Sequence, residues 1–279
     1  MTYNFNVEKV TRDLIQWTRD WFDKNGKDSV AVLGISGGKD STIAAKIMVE
    51  ALGENRVIGV MLPRGKQHDQ NIAREVCEYL NIQHYDWNIK EIFDVFVNTY
   101  TTSIKEPVTE QSMTNLAPRI RMTALRFIAQ CKNGRLINTS NLSEDWVGYA
   151  TIDGDSAGDM SLFSMLTVQE VKAIGHYLGI PERFVEKIPE DGLVGKSDED
   201  NLGVSYSNID AYIRSSSEIS VEARDIIERK FKANEFKLKA TSGMPKFMPR
   251  LEDLYQDLTD EDKKIIPGIQ KDPRKYDSI

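Results

Sequence analysis

Residues 32–48 read VLGISGGKDSTIAAKIM: an apolar run, three glycines within five positions, then a segment of helical composition. A glycine-containing loop between a buried strand and a helix is a phosphate site on general grounds. Backbone N–H groups and the helix N-terminus converge there with partial positive charge. The two commonest loops of this kind do not fit. A Walker A loop has four residues between its first glycine and the Gly-Lys pair, then Ser or Thr; here three separate Gly34 from Gly38-Lys39, and Asp40 follows. Gly34, Gly37 and Gly38 also break the G-x-G-x-x-G spacing. Asp40 is the informative residue. A carboxylate beside phosphates repels them unless a cation lies between, so the loop implies Mg²⁺, with Asp40 offering hard oxygen. Ser36 and Ser41 add hydroxyl donors. A tight turn capped by Asp40 and Ser41 is the alternative, but a turn alone does not require the whole hexapeptide.

Outward from the loop, short apolar strands alternate with helices. Val7, Val10, Leu14, Trp17 and Trp21 recur every three or four residues, which predicts a helix over 7–24 closed by Asn25-Gly26. Strands are expected at 29–35, 56–62, 82–89 and 135–140, with helices at 41–52, around Ile72 to Leu80, near 90–104 and over 115–132. This alternation is the signature of a parallel sheet covered on both faces. Past residue 150 the pattern changes. TIDGDSAGDMS reads as a long loop, a helix follows at 167–178, and 189–205 is a polar stretch suited to an active-site lid. Helices are expected near 207–214 and 219–233, and the tail from 241 as an irregular wrap or disordered end.

Bulk composition narrows the classes. With 36 Lys+Arg against 43 Asp+Glu the formal charge is −7, which disfavours a nucleic-acid binder and favours small-molecule or protein partners. No run of about 18 apolar residues occurs, so neither a membrane span nor a signal peptide is expected. Cys77 and Cys131 both fall in predicted helices, which supports no disulfide framework or zinc site and points to the cytoplasm. His68, His84 and His176 lie far apart with no ligand-spaced partner. Trp146 and Tyr149 could stack on a ring, though such aromatics are more often core.

Ser36-Gly37-Gly38-Lys39-Asp40-Ser41, directly after a strand, resembles the S-G-G-x-D-S loop of the ATP pyrophosphatases. In that superfamily the loop grips the pyrophosphate released when ATP passes AMP to a substrate oxygen. Three further segments are similar to ammonia-dependent NAD synthetase: Asn115–Met122 (N-x-x-A-R-x-R-M, with Pro118 for the usual Ala), NTSNLSEDWVGYATIDGDSAGD at 138–159, and DGLVGKSDEDNLGVSYSNID at 191–210. The resemblance implies a doubly wound α/β fold with a five-stranded parallel sheet and a helical C-terminal part. Residues 1–240 would form the synthetase domain, with its ATP core at about 26–180, and 241–279 an extension. It implies ATP-dependent amidation of deamido-NAD with ammonia, a homodimer with the 115–132 helix as candidate interface element, and Mg²⁺ on Asp40 and Glu144. ATP would be held by Gly34, Ile35, Ser36, Gly37, Gly38, Lys39, Asp40, Ser41, Arg64 and Thr139, and deamido-NAD by Arg119, Asp155, Asp159 and Lys237. A chain of this length leaves no room for a glutaminase domain, so free ammonia or a separate donor chain is expected.

Four positions depart from the family pattern: Ile152 and Val168 stand where lysines are usual, Glu190 where Thr or Ser touches ATP, and Phe236 where His precedes Lys237. Lys39 and Lys196 could replace some of the lost positive charge. Other readings are a relative that amidates or thiolates another substrate, and a nucleotide-binding regulator without turnover.

Overall fold

A computed structural model describes residues 1–66, 70–186, 198–215 and 217–275. In chain order the elements are β1 (Thr2–Tyr3), α1 (Val7–Asn25), β2 (Val30–Gly34), α2 (Lys39–Leu52), β3 (Val57–Met61), α3 (Gln70–Tyr79), β4 (Gln83–Asp86), α4 (Lys90–Ser103), α5 (Glu110–Cys131), β5 (Gly134–Asn138), α6 (Leu142–Trp146) and β6 (Met160–Ser161). They continue with α7 (Val168–Tyr177), α8 (Glu182–Val185), α9 (Asp198–Leu202), α10 (Tyr206–Arg214), α11 (Val221–Ala240), β7 (Tyr255–Gln256), α12 (Asp260–Ile265) and α13 (Pro267–Gln270).

Strands β2 and β3 are apolar throughout because both their faces are covered. Ala31 and Leu33 of β2, with Val57 and Met61 of β3, enter a core with α1, α2, α3 and α7. Their neighbours Val32, Ile58 and Val60 enter a second core under α4 and α5. Each of the Val, Leu, Ile and Met side chains among these contributes about 1.5–3 kcal/mol by leaving water, so the alternation of period two fixes which helices lie on which face. The result is a five-stranded parallel sheet of order β4-β3-β2-β5-β6. The chain steps from β2 outward to β3 and β4, then returns to the other side of β2 with β5. The gap between β2 and β5 is therefore the topological switch point, where doubly wound folds open a crevice at the strands' carboxyl ends.

Several elements differ from the sequence expectation. The fifth strand, β6, lies inside the stretch read as a loop; it pairs with β5 at Ile137–Met160 and Asn138–Ser161. Helix α5 starts at Glu110, capped by the Thr109 side chain, and carries Pro118 within it. Helix α11 runs on to Ala240. The tail forms β7, α12 and α13, with β7 pairing antiparallel with β1. The lid expected at 189–205 falls largely outside the described residues; of it, 198–202 is α9. Among the described residues no helix is long and apolar enough to cross a membrane. Cys77 and Cys131 are free thiols, the first buried and the second exposed.

Candidate active site

The loop at 34–41 leaves β2 at the switch point. Ile35 continues the ladder by donating its N–H to the Val60 carbonyl at 2.9 Å. Gly37 then takes φ +78°, and a Cβ there would lie 3.0 Å from the Ala73 backbone nitrogen, so both conformation and space require glycine. The Ser36 and Ser41 hydroxyls lie 3.2 Å apart, and Ser36 Oγ accepts the Gly38 N–H at 3.2 Å. Gly38 is the N-cap of α2, and among the described residues no side chain caps that first turn. Its free N–H groups and the helix dipole make a donor cradle for an anion.

The two carboxylates proposed from sequence meet here. Asp40 comes from the first turn of α2; Glu144 comes from α6, just beyond the end of β5, the neighbour of β2. Lys39 joins them. Its ammonium, 3 % exposed, lies 2.8 Å from Asp40 Oδ2 and 3.8 Å from Glu144 Oε1. The Tyr206 ring lies beside it, 5.7 Å from Nζ to the centroid. Asn141, fully buried, bridges the acids on another side. Its Nδ2 donates to Asp40 Oδ1 at 3.3 Å and its Oδ1 accepts the Glu144 N–H at 3.0 Å. Burial first, and the charge of Asp40 second, push the Glu144 carboxyl above its ordinary value. Burial alone would lower the Lys39 ammonium; Asp40 and Glu144 more than offset it and hold that pKa raised.

These residues fit Mg²⁺. Two hard carboxylates already converge on one cation, and Mg²⁺ commonly takes one or two protein carboxylates together with substrate phosphates. Asp198, whose Oδ1 accepts from the Tyr149 hydroxyl at 3.0 Å, adds to the negative field at Glu144 and Lys39. The Tyr206 hydroxyl, in the field of Glu144, Asp198 and Asp40, is buried with no partner among the described residues. A bound ion or water would satisfy it.

The residues assigned to the dinucleotide brace a loop beside this pair. Lys237 Nζ donates to the carbonyls of Gly148 (2.7 Å) and Ala150 (3.0 Å), and Arg119 Nε to that of Ile152 (3.1 Å). The Asp155 carboxylate accepts the Thr151 N–H at 3.0 Å; its carbonyl accepts from Asn138 Nδ2 and Ser140 Oγ at 2.8 and 3.0 Å. Asp159 stands apart: it accepts the Leu136 N–H at 2.7 Å and pairs with Arg126. Arg64 lies 4.6 Å over the Phe93 ring, and Thr139 is half-buried just past β5. Of the departing positions, Val168 is core and donates its N–H to Ser143 Oγ at 3.0 Å, Ile152 is half-buried, and Phe236 is exposed on α11. Glu190, Lys196 and His68 lie outside the described residues. Trp146 is core, its ring 4.5 Å from that of Phe231.

The sequence reading did not single out Asn141, Asp198 or Tyr206. Asp198 had a signal, the acidic S-D-E run; Asn141 and Tyr206 had none, since an amide and a phenol carry no spacing rule of their own.

A parallel sheet with a glycine loop, an uncapped helix N-terminus and paired carboxylates at its switch point defines an α/β enzyme of the ATP-pyrophosphatase kind. Residues 10–241 match the NAD synthase family. The chain is 32 % identical over 263 residues to the NH₃-dependent NAD⁺ synthetase of Pyrococcus furiosus, covering 89 % of this chain and 97 % of that protein. Among solved structures it resembles an NMN synthetase from Francisella tularensis (TM-score 0.75, 30 % identity, covering 84 % and 96 % of the two chains). It also resembles the NH₃-dependent NAD synthetase of Campylobacter jejuni (TM-score 0.69, 26 %, covering 88 % and 100 %). The chain belongs to the NAD synthase family, ATP-using ligases that form a C–N bond.

Proposed function

We propose that this chain joins ammonia to the nicotinate carboxylate of deamido-NAD, consuming ATP and giving NAD, AMP and pyrophosphate. The carboxylate oxygen attacks the α phosphorus, the bond to the bridging oxygen breaks, and pyrophosphate leaves with the electron pair. Ammonia then adds to the acyl carbon, the C–O bond to AMP breaks, and the excess proton on nitrogen is released. Carboxylate and ammonia do not condense unaided in water, so the enzyme's task is positioning and neutralising charge at the phosphates.

The observation that carries this reading is the convergence of Asp40 and Glu144 on one buried cation at the uncapped start of α2. In this reading residues 34–41 grip the departing pyrophosphate, with Arg64 and Thr139 on the nucleotide side. Arg119, Asp155 and Lys237 shape the wall facing the dinucleotide, and Asp159 supports that wall from behind. Asp40 and Glu144 would hold Mg²⁺, which when bound supplies the charge that offsets the leaving pyrophosphate. Residues 1–240 form the synthetase unit, in keeping with the match over 10–241, and 241–279 an extension. The working unit is a homodimer; the exposed apolar side chains Ile92, Val95 and Phe96 of α4, Ile104 just past its end and Phe127 of α5 support a second copy there. A reducing cytoplasm accords with the free thiols.

The test is to incubate the protein with ATP, Mg²⁺, ammonium and deamido-NAD and follow NAD and AMP. Absence of NAD, with AMP formed only when another acid is supplied, overturns the reading. A second reading, that the acceptor is nicotinate mononucleotide, is favoured by the likeness to the Francisella NMN synthetase and by Ile152 and Phe236, which stand where the family pattern has Lys and His toward the dinucleotide. Comparing kcat/KM for the two acceptors separates them.

A further inference from the structure

The family match ends at residue 241, yet the chain continues and returns to the back of the active site. Its path is fixed at several points. Gly268 of α13 packs so closely on Ile213 that a Cβ would meet the Ile213 carbonyl at 2.7 Å. Lys271 Nζ donates to the Tyr212 hydroxyl at 2.9 Å. The path ends in Arg274, which is 1 % exposed. Asp272, completely buried, holds the guanidinium by Nε (3.0 Å) and Nη2 (2.9 Å). The remaining arm, Nη1, donates to Asp145 Oδ2 at 2.6 Å across 129 residues of sequence.

Asp145 is the residue after Glu144, on the five-residue helix α6. So short a helix has almost no stability of its own, and its position is set by what its side chains touch. Leu142 and Trp146 are fully buried in a core with α10 and α11. Ser143 Oγ donates to Asp210 at 2.5 Å. Asp145 is held by Arg274, and only Glu144 is left to face Asp40 and Lys39. Without Arg274, Asp145 becomes a buried carboxylate that has lost its hydrogen-bonded countercharge and keeps only the field of the Lys237 ammonium. It relieves that cost by turning outward and drawing the last turn of α6 with it.

We infer that Arg274, from the segment beyond the family match, is a positioning residue that aims Glu144 at the phosphate loop by clamping Asp145. The inference rests on reading Glu144 as a metal ligand. Removing an outer partner of a metal ligand lowers metal affinity about 10- to 100-fold. Arg274→Met in the full chain should fold, as judged by circular dichroism, and bind Mn²⁺ up to about tenfold more weakly in the presence of a non-hydrolysable ATP analogue, since Arg274 acts on Glu144 through its neighbour. Electron paramagnetic resonance counts the free ion. Asp145→Asn should weaken binding similarly, and the double variant no further than either single one. Arg274→Lys, which keeps the charge but not the fork, should fall between. A folded Arg274→Met with wild-type Mn²⁺ affinity overturns the inference; if that variant does not fold, wild-type affinity in Arg274→Lys does so. Glu144→Gln separates the premise from the inference. If Glu144→Gln binds Mn²⁺ as the wild type does, the metal-ligand reading fails and the inference with it; if it loses Mn²⁺ while Arg274→Met keeps it, only the clamp fails.

Discussion

Lys39→Met is the most informative perturbation of the proposed metal site. In the wild type one buried ammonium serves two carboxylates, Asp40 at 2.8 Å and Glu144 at 3.8 Å, each less than a fifth exposed. Once it is gone, an acid that had a cation must take up a proton instead. For a carboxyl that ordinarily titrates near 4 this costs about 1.4 kcal/mol for each of roughly three units at pH 7, or ~4 kcal/mol. Relief of the lysine's own desolvation offsets part of this, so a loss of about 2–4 kcal/mol is expected, a fall in Tm of about 5–15 °C for a chain of this size. The sign of the pH dependence follows. Lys39→Met raises the folded-state pKa of Glu144 further, since the Lys39 charge lowers it, and stability that depends on a raised pKa is present at low pH and lost as pH rises. At pH 5 the same proton costs only ~1 kcal/mol, so the deficit should nearly close. A divalent cation can also take the ammonium's place. In Lys39→Met, millimolar MgCl₂ should recover most of the lost Tm, with little effect on the wild type, and the KM for ATP should rise. Scanning calorimetry of both proteins at pH 5 and pH 7, in EDTA and in MgCl₂, measures all of this. A deficit equal at both pH values, or none at all, refutes the reasoning.

Three other outcomes are expected. Gly37→Ala forces a Cβ to 3.0 Å from the Ala73 nitrogen at φ +78°, a strain of about 1–2 kcal/mol. It should raise the KM for ATP several-fold while leaving the far-ultraviolet circular dichroism unchanged. Phe96→Glu places a charge in the exposed apolar strip of α4; if that strip joins two copies, light scattering should show a monomer where the wild type is a dimer. Burial pushes Asp210 up to about 6, against the Ser143 and Gln169 hydrogen bonds that lower it. The folded protein therefore holds a proton there that the unfolded chain releases, and this contribution is lost as pH rises between about 4 and 6. Asp210→Asn should remove that slope from the pH dependence of the urea midpoint; an unchanged slope assigns it elsewhere.

The fold was legible where one residue's environment is dictated by its neighbours in sequence. Val30–Gly34 and Val57–Met61 are continuously apolar because both faces of a central parallel strand are covered. Met160–Ser161 defeated the same reasoning. It is a two-residue edge strand held by polar tertiary contacts, Ser161 Oγ donating to Asn138 Oδ1 at 2.9 Å and Gly158 lying against the Asn138 backbone. No local pattern encodes that. Helix α12 was encoded and overlooked: Thr259 and Asp262 form a reciprocal capping box inside a tail read by composition alone. At the site, the hexapeptide gave the loop and its implied cation. The sequence singles out Asp40, whereas the structure joins it to Lys39. Which charges face each other across the switch point depends on β5 lying beside β2, and Val32 pairs with Leu136 across 104 positions of sequence, with no local pattern that marks the pairing.

Helix α6 carries two adjacent acids, Glu144 half-buried and Asp145 buried, each answered by a cation on a different side. In front, Lys39 meets Glu144 from the phosphate loop; behind, Arg274 meets Asp145 from the tail. The two cations differ in how they are held. Arg274 is locked by a forked pair to Asp272 with all three residues buried, so no solute can replace it without unfolding the tail. Lys39 is a point charge on a flexible stem beside a loop rich in free donors, and its two acids retain contact with solvent. On the proposed metal site, a phosphate-borne divalent cation would exchange with the front charge while the rear one stays fixed. On the proposed function, this asymmetry would let α6 keep its place while the charge in front of it changes, as pyrophosphate arrives within ATP and departs alone.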